Sequence, residues 1–407
     1  MKSGLLGRKL GHSYSPQIHA YLGDYSYQLF EREPEEVEDF VKHGDFHAIN
    51  VTIPYKKTVM PFCRLTDTAR YMGSVNTLVR QEDGSLLGHN TDYFGFTSMV
   101  ERSGLSPRGK KCLVLGSGGA SVTAVAVLKE MGADVVIISR SGENHYGNLH
   151  LHADARIICN CTPVGMYPHN GVSPIDLDLF PQLEGVLDMI YNPARTQLLM
   201  DAQRRGLIHS NGLWMLVAQA KEASEWFVNH TIPNERIQQV YHQMQLQMEN
   251  IILVGMPGCG KSTISKALAE ALHKPFVDAD AELVKTFGKS IPEIFAEEGE
   301  AGFREKETAV LRELGKRSGL VIATGGGCVT QERNYSLLHQ NGTIFWLQRS
   351  LDALPTDGRP LSQSNRLTDM YAVREPMYRK FADHIIDNNG TVAETLSQIL
   401  NALEDIQ

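Results

Sequence analysis

Three groups of residues in the sequence have types and spacings that could do chemistry. Gly255-Met256-Pro257-Gly258-Cys259-Gly260-Lys261-Ser262-Thr263 carries the glycine spacing and Lys-Ser ending of a phosphate-binding P-loop, with Gly258 to Thr263 as the nucleotide-binding stretch. Gly116-Ser117-Gly118-Gly119-Ala120 has the start of a dinucleotide fingerprint, with Ser121 where the third glycine would stand. Beyond it, at the end of the next strand-like run, comes Ser139-Arg140-Ser141 instead of an acidic residue. Arginine suits a ribose 2'-phosphate, so this group reads as a site for NADP(H), although a strand-end arginine can also simply face solvent. The third group is dispersed: Ser13, Ser15, Lys56 and Asp92, each beside a strand or turn. Taken singly, each has an ordinary reading, since turn serines and Asp92 can cap helices and a loop lysine is usually solvated. Asp278 and Asp280 are spaced for metal and substrate work or for capping, whereas His150 and His152 have no carboxylate or cysteine at ligand spacing to make a metal site.

Each group requires particular elements around it. The P-loop needs a buried strand behind it, supplied by Ile251 to Val254, and a helix ahead, for which Ser265 to Leu272 is the clearest stretch. The fingerprint lies between a strand over Lys110 to Leu115 and a helix over Val122 to Met131, followed by a strand at Asp134 to Ile138. Gly142 to Ala155 is polar, without helical period and close to the minimum length for a parallel crossover, so the usual second helix is expected to be missing. Strands follow at Arg156 to Cys161, ahead of Thr162, and at Gly185 to Ile190, ahead of Tyr191; Gly212 then opens a helix to about Phe227 in which only the polar Gln219 is out of place. Near the start, Leu5-Leu6 begins a strand, Gln17 to Leu22 is helical, and the strand Ala48 to Ile53 is ended by Pro54 just before Lys56. Past the P-loop, Glu282 to Phe287 is helical, and Val321 to Thr324 leads into Gly325-Gly326-Gly327, where missing side chains let a substrate approach the backbone. Arg374 begins a late helix. The class is α/β throughout.

With 407 residues, 42% hydrophobic and 21% charged, the chain is long enough for about three domains. A formal charge of -8 without a basic run argues against nucleic acid as a partner. Cys63, Cys112, Cys159, Cys161, Cys259 and Cys328 form no CxxC pair and read as small buried hydrophobes of a reducing compartment. The polar, glycine-rich N-terminus is not a signal peptide and no run reaches the ~18 apolar residues of a membrane span, so a cytoplasmic protein without membrane contact is expected.

Taken in order, the motifs up to about residue 245 resemble shikimate dehydrogenase: Ser13-x-Ser15-Pro16, Asn50-Val51-Thr52-x-Pro54-x-Lys56, Val75-Asn76-Thr77, Asn90-Thr91-Asp92, Gly116-x-Gly118-Gly119, Asn160-x-Thr162-Pro163-x-Gly165-Met166 and Met215-Leu216-Val217-x-Gln219. The resemblance implies that Ser13, Ser15, Thr52, Asn76, Tyr191 and Gln219 surround the substrate and that Lys56 and Asp92 are the catalytic pair. It places Gly116, Gly118, Gly119, Ala120, Arg140, Thr162 and Gly212 against NADP(H). The implied reaction is the reversible reduction of 3-dehydroshikimate to shikimate.

From about Met248 to Leu403 the chain is similar to shikimate kinase, through the P-loop, Asp278-x-Asp280, Gly299-Glu300-x-x-Phe303-Arg304, Gly325-Gly326-Gly327, Gly358-Arg359-Pro360 and Arg374-x-Pro376-x-Tyr378-Arg379. The similarity implies that Lys261 meets the β- and γ-phosphates of ATP, that Ser262 and Asp278 serve Mg2+, and that Asp280 positions the attacking hydroxyl. Arg304 and Arg374 would clamp the shikimate carboxylate beside the three glycines, and Arg359 would close from a lid. The arginine often found before that lid, over the adenine, is missing from Asp352 to Pro355. The expected organisation is a substrate domain over 1–93 completed by helices at about 213–247, a Rossmann-like NADP domain over 94–212, and a P-loop kinase domain over 248–407. Two other readings remain: a first half that acts on quinate or a related polyol acid, or one that has become a non-catalytic module. Oligomeric state is not legible.

Overall fold

Short apolar runs separated by helices build three sheets in the computed structural model, which describes residues 1–11, 13–354 and 364–404. By their contacts these residues form two units, one made of Met1–Val164, Ser173–Tyr191 and Asp201–Met244, the other of Gly165–Val172, Asn192–Met200 and the chain from Gln245 onward.

The first unit contains two sheets. In the first, β1 (Lys2–Gly7), β2 (Ser26–Glu31), β3 (Ala48–Val51), β4 (Arg64–Leu65), β5 (Thr77–Arg80) and β6 (Leu86–His89) lie in the order β2-β1-β3-β5-β6-β4. β1 runs parallel to β2 and β3, while β5 is antiparallel to β3 and β6. Its helices are α1 (Ser15–Leu22), α2 (Val37–His43), α3 (Asp67–Met72) and α4 (Asp92–Ser103). Side chains alternate along β3: Ile49 and Val51 join a core with Leu6, Val37 and Leu78, and Ala48 packs with Ala223 and Phe227 on the opposite face. Asn50 is therefore a buried polar residue on that second face. α1 starts at Ser15, earlier than the sequence suggested, because Pro16 is well tolerated in a first helical turn.

The second sheet is wholly parallel, with β7 (Lys111–Leu115), β8 (Asp134–Ile138), β9 (Ile157–Asn160), β10 (Gly185–Asp188) and β11 (Ile208–Ser210) in the order β11-β10-β9-β7-β8. α5 (Gly119–Glu130) follows β7. As expected, no α-helix joins β8 to β9; the connection contains only 3-10 turns over Tyr146–His152. α6 (Gln197–Arg204), α7 (Leu213–Val228) and α8 (Glu235–Met248) come later in the chain.

The second unit is built on a parallel sheet of β12 (Asn250–Val254), β13 (Phe276–Asp278), β14 (Val321–Ala323), β15 (Gly342–Gln348) and β16 (His384–Asp387), ordered β13-β14-β12-β15-β16. β12 is buried along its whole length, as a central strand covered on both faces must be. Its helices are α9 (Lys261–Leu272), α10 (Ala279–Phe287), α11 (Ile291–Lys316), α12 (Arg333–His339), α13 (Ser364–Phe381) and α14 (Val392–Glu404). α9 begins at Lys261, four residues before the stretch expected, because the loop ends in the left-handed Gly260 at φ 100° and turns straight into the helix. α13 begins ten residues before Arg374 and carries Pro376 inside it. The apolar face through Leu367, Met370, Tyr378 and Phe381 continues across the proline and outweighs its break in the ladder. The segment 192–200 is tied into this unit, since Arg195 donates its backbone N–H to Gln340 O at 2.8 Å and its Nη1 to His339 O at 2.8 Å.

Candidate active sites

In the first unit, Lys56 follows β3 and Asp92 opens α4. The Lys56 Nζ donates to Asp92 Oδ2 at 2.6 Å, and the two side chains are 29% and 16% exposed. Asp92 does not cap its helix with its side chain. Its other oxygen accepts from Asn76 Nδ2 at 3.0 Å, and the same amide nitrogen reaches Thr91 Oγ1 at 3.0 Å. Asn76 is itself fixed, because its Oδ1 accepts the Thr91 N–H at 2.8 Å. Behind it, Tyr27 donates to Asn50 Oδ1 at 2.8 Å, and Asn50 Nδ2 donates to Thr77 Oγ1 at 3.2 Å. A carboxylate and an ammonium thus meet at a partly open position on a floor of buried, hydrogen-bonded amides.

Of the other expected residues, Gln219 is bonded into this cluster through Thr91, and the rest make contacts of their own. Ser13 Oγ donates to Ser15 Oγ at 3.1 Å and accepts the Ser15 N–H at 3.2 Å, so this pair closes the turn that leads into α1, whose N-cap is Tyr14. Tyr14, between them, meets Tyr191 edge to face with ring centroids 6.1 Å apart. Thr52 is anchored by its backbone N–H to Leu6 O at 2.9 Å, and Gln219 Oε1 accepts from Thr91 Oγ1 at 3.3 Å.

The glycine fingerprint fits a phosphate. Gly116 holds φ at 104°, and a Cβ on Gly118 or Gly119 would meet nothing, so the backbone at the start of α5 is bare. Ala120 lies in the first turn of α5, and Ser121, in place of the third glycine, turns its hydroxyl back to Gly118 O at 2.6 Å. Thr162 is held by its N–H and hydroxyl to Asn160 Oδ1 at 3.0 and 2.7 Å, with its methyl group 3.1 Å from where a Gly116 Cβ would be. Arg140 lies two residues beyond β8. Gly212 has a different local reason: a Cβ there would stand 2.1 Å from Met189 O, so the glycine lets α7 start against the end of β10.

In the second unit a cavity of about 710 Å³ runs from the P-loop to an ionic cluster and is lined by Lys261, Ser262, Asp278, Asp280, Arg304, Glu307 and Arg374, among others. Lys261 Nζ donates to Gly255 O at 2.9 Å and Met256 O at 3.0 Å. The P-loop residues Gly258 and Thr263 line the same cavity, while the Cys259 side chain is buried beneath the loop. Asp278 caps α10 through Asp280 N and Ala281 N, and its second oxygen accepts from Ser262 Oγ at 2.8 Å. Capping and the Ser262 contact therefore coexist. Arg304 is paired with Glu307 at 2.8 Å and Glu300 at 3.1 Å, and Arg374 Nη1 donates to Gly326 O at 3.2 Å. Burial pushes the Glu307 carboxyl above the usual range, against the pull of the Arg304 guanidinium.

The three glycines have a reason the sequence reading missed. A Cβ on Gly325 would stand 2.6 Å from Glu307 Oε1 and 2.8 Å from Asp280 Oδ1; on Gly326, 2.8 Å from Pro257; and on Gly327, 2.2 Å from Arg304 Nη2. The space is needed first for the protein's own charged groups. Glu307 itself was overlooked, although its place three residues after Arg304 on α11 puts the two on one face. Asn50 and Thr91 stand inside sequence motifs, but nothing local announces the contacts they make. Arg359 lies outside the described residues. Among the described residues there is no cluster of three or more His, Cys, Asp or Glu fit for a metal, and no helix is long and apolar enough to cross a membrane.

Residues 5–78 match the family model for the shikimate dehydrogenase substrate binding domain, and residues 257–404 match that for shikimate kinase. The chain is 37% identical over 256 residues to a shikimate dehydrogenase (NADP(+)) of Caldicellulosiruptor bescii, covering 55% of this chain and 88% of the relative. It is 32% identical over 259 residues to that of Clostridium beijerinckii, covering 58% and 96%. Among solved structures, a chorismate mutase/shikimate 5-dehydrogenase fusion protein from Clostridium acetobutylicum is 34% identical with a TM-score of 0.57, over 60% of this chain and 97% of that one. Shikimate 5-dehydrogenase from Thermus thermophilus, solved with NADP(H) and shikimate, is 27% identical with a TM-score of 0.55, over 60% and 99%.

Proposed function

Because the chain belongs to the shikimate dehydrogenase family over its first three-fifths and continues into a shikimate kinase domain, we propose that it is a bifunctional enzyme of the shikimate pathway. The first activity is NADPH-dependent reduction of 3-dehydroshikimate to shikimate. The second is ATP-dependent phosphorylation of shikimate to shikimate 3-phosphate.

The Lys56–Asp92 contact at 2.6 Å carries the dehydrogenase reading. The bare glycine turn before α5 and Arg140 would hold NADPH, which would supply a hydride to the substrate carbonyl. The oxygen left behind gains negative charge and needs a proton. Lys56, as an ammonium, stabilises that charge and gives the proton. Asp92, held by Asn76, orients Lys56 and the neighbouring hydroxyl. Ser13, Ser15, Thr52, Tyr191 and Gln219 complete the substrate site.

In the kinase the P-loop backbone and Lys261 receive the ATP phosphates. Ser262 Oγ and Asp278 Oδ2, 2.8 Å apart, are hard oxygen ligands suited to Mg2+. Asp280 positions the attacking hydroxyl, Arg304 and Arg374 hold the substrate carboxylate, and Arg359 is the cation assigned to the transferred phosphoryl group. The Arg304 charge is partly engaged by Glu307, which fixes its direction. A cytoplasmic location agrees with the cysteine usage.

The test follows NADP+ reduction with shikimate in the wild type, Lys56→Ala and Lys261→Ala, each with and without Mg-ATP. We expect Lys56→Ala alone to abolish NADP+ reduction and Lys261→Ala alone to abolish ATP consumption. ATP consumption without NADP+ reduction in the wild type would return the first half to a quinate-type substrate or a non-catalytic role.

A further inference from the structure

Helices α4 and α7 meet at Gly95, one turn after Asp92. A Cβ on Gly95 would stand 2.8 Å from Met215 O and 2.9 Å from the Cβ of Gln219, too close for either contact. The backbone of α4 therefore lies directly against the turn of α7 that carries Gln219. Local backbone preference does not call for glycine here, because alanine is the better former at an interior helical position. Bulk on α4 is supplied by Phe96, Met99 and Val100, all buried.

What the close approach achieves is visible in Gln219. Its Oε1 accepts from Thr91 Oγ1 at 3.3 Å and its Nε2 donates to Leu216 O at 2.9 Å, leaving the second N–H of the amide for a ligand. Thr91 is bonded to Asn76, and Asn76 holds Asp92. Gln219 is thus connected to the Lys56–Asp92 pair through three hydrogen bonds, by way of Thr91 and Asn76, at a spacing fixed by how closely α7 lies on α4.

We infer that Gly95 is a positioning residue of the dehydrogenase: it sets the distance between Gln219 and the Lys56–Asp92 pair, and so the grip on the polyhydroxy-acid substrate. The inference rests on the dehydrogenase reading above. An added methyl group would push Gln219 away from Thr91 and loosen substrate binding while leaving Lys56 and Asp92 in contact.

The experiment compares Gly95→Ala, Gln219→Ala, the double variant and Gln219→Asn in the full chain, with kinase turnover on each preparation reporting intact protein concentration. We expect Gly95→Ala to raise KM for shikimate about tenfold, with kcat held within about threefold and KM for NADP+ within about twofold. In the Gln219→Ala background the same change should raise KM no further, since both act through one amide. Gln219→Asn shortens the side chain without touching α4 and should reproduce the rise. Multiplying effects in the double variant, or a joint loss of kcat and of affinity for both substrates, would show general helix packing and overturn the inference. If Gly95→Ala does not fold, an unchanged shikimate KM in Gln219→Asn overturns it. Wild-type turnover of shikimate is the control: its absence overturns the dehydrogenase reading and this inference with it.

Discussion

Lys56 and Asp92 illustrate how a charge pair becomes a reactive group. Each is anchored from its own element, and Asn76 removes the freedom of the carboxylate, so the ammonium is held in one direction at a partly open position. Lys56→Ala should lower dehydrogenase kcat by about a thousandfold, the middle of the range for a lost proton donor, with kinase turnover unchanged in the same sample. Stopped-assay kinetics of both reactions check this. Glu307 shows the opposite use of charge. At 3% exposure it neutralises the buried Arg304, and Glu307→Gln should destabilise the second unit by about 3 kcal/mol in urea unfolding because a buried guanidinium loses its better partner.

Glycines on neighbouring elements separate function from stability. A Cβ on Gly327 meets the far end of the Arg304 side chain, which can swing aside, whereas a Cβ on Gly315 of α11 meets the Leu337 carbonyl of α12 at 1.8 Å, which cannot. Gly327→Ala should therefore lose kinase affinity for shikimate as Arg304 is displaced, and Gly315→Ala should lower stability by about 2 kcal/mol with kinase KM unchanged. Thermal unfolding read beside kinase KM distinguishes the two. On α1, His19 is fully enclosed, stacked on Tyr27 with centroids 4.0 Å apart and bonded to Tyr25 at 2.6 Å. Burial lowers its pKa from 6.5 to about 3, so the folded state keeps it neutral while the unfolded chain takes up a proton below pH 6.5. Its contribution to stability is full above pH 6.5 and falls as pH drops toward 3. By linkage this amounts to about 2 kcal/mol between pH 6.5 and 5, and His19→Phe should flatten that slope in urea titrations of the first unit.

The two activities are consecutive, with the product of one as the substrate of the other. Shikimate is stable and diffuses quickly, and a covalent tether already keeps the two enzymes at equal dose, so no handover inside one chain is required. An equimolar mixture of Lys56→Ala and Lys261→Ala proteins should then convert 3-dehydroshikimate to shikimate 3-phosphate at the steady rate of wild type at the same concentration of each intact site. A mixture much slower than wild type would instead demand transfer within a single molecule.

The P-loop, the glycine turn and the strands that lead into them were legible because they are local: backbone conformation near a phosphate depends on glycines at fixed spacing, and burial period writes itself into the chain. The missing helix between β8 and β9 was legible for the same reason, as a stretch too short and too polar to form one. Long-range contacts were not. Nothing near Gly327 announces Arg304, nothing near Gly95 announces Gln219, and nothing near Arg195 announces that it caps carbonyls at Gln340 and His339. Sequence spacing says which residue types are present and on which element; the meeting of residues 20 to 150 positions apart is settled by how helices and sheets pack, and at that level a single absent methyl group decides how closely two elements can lie.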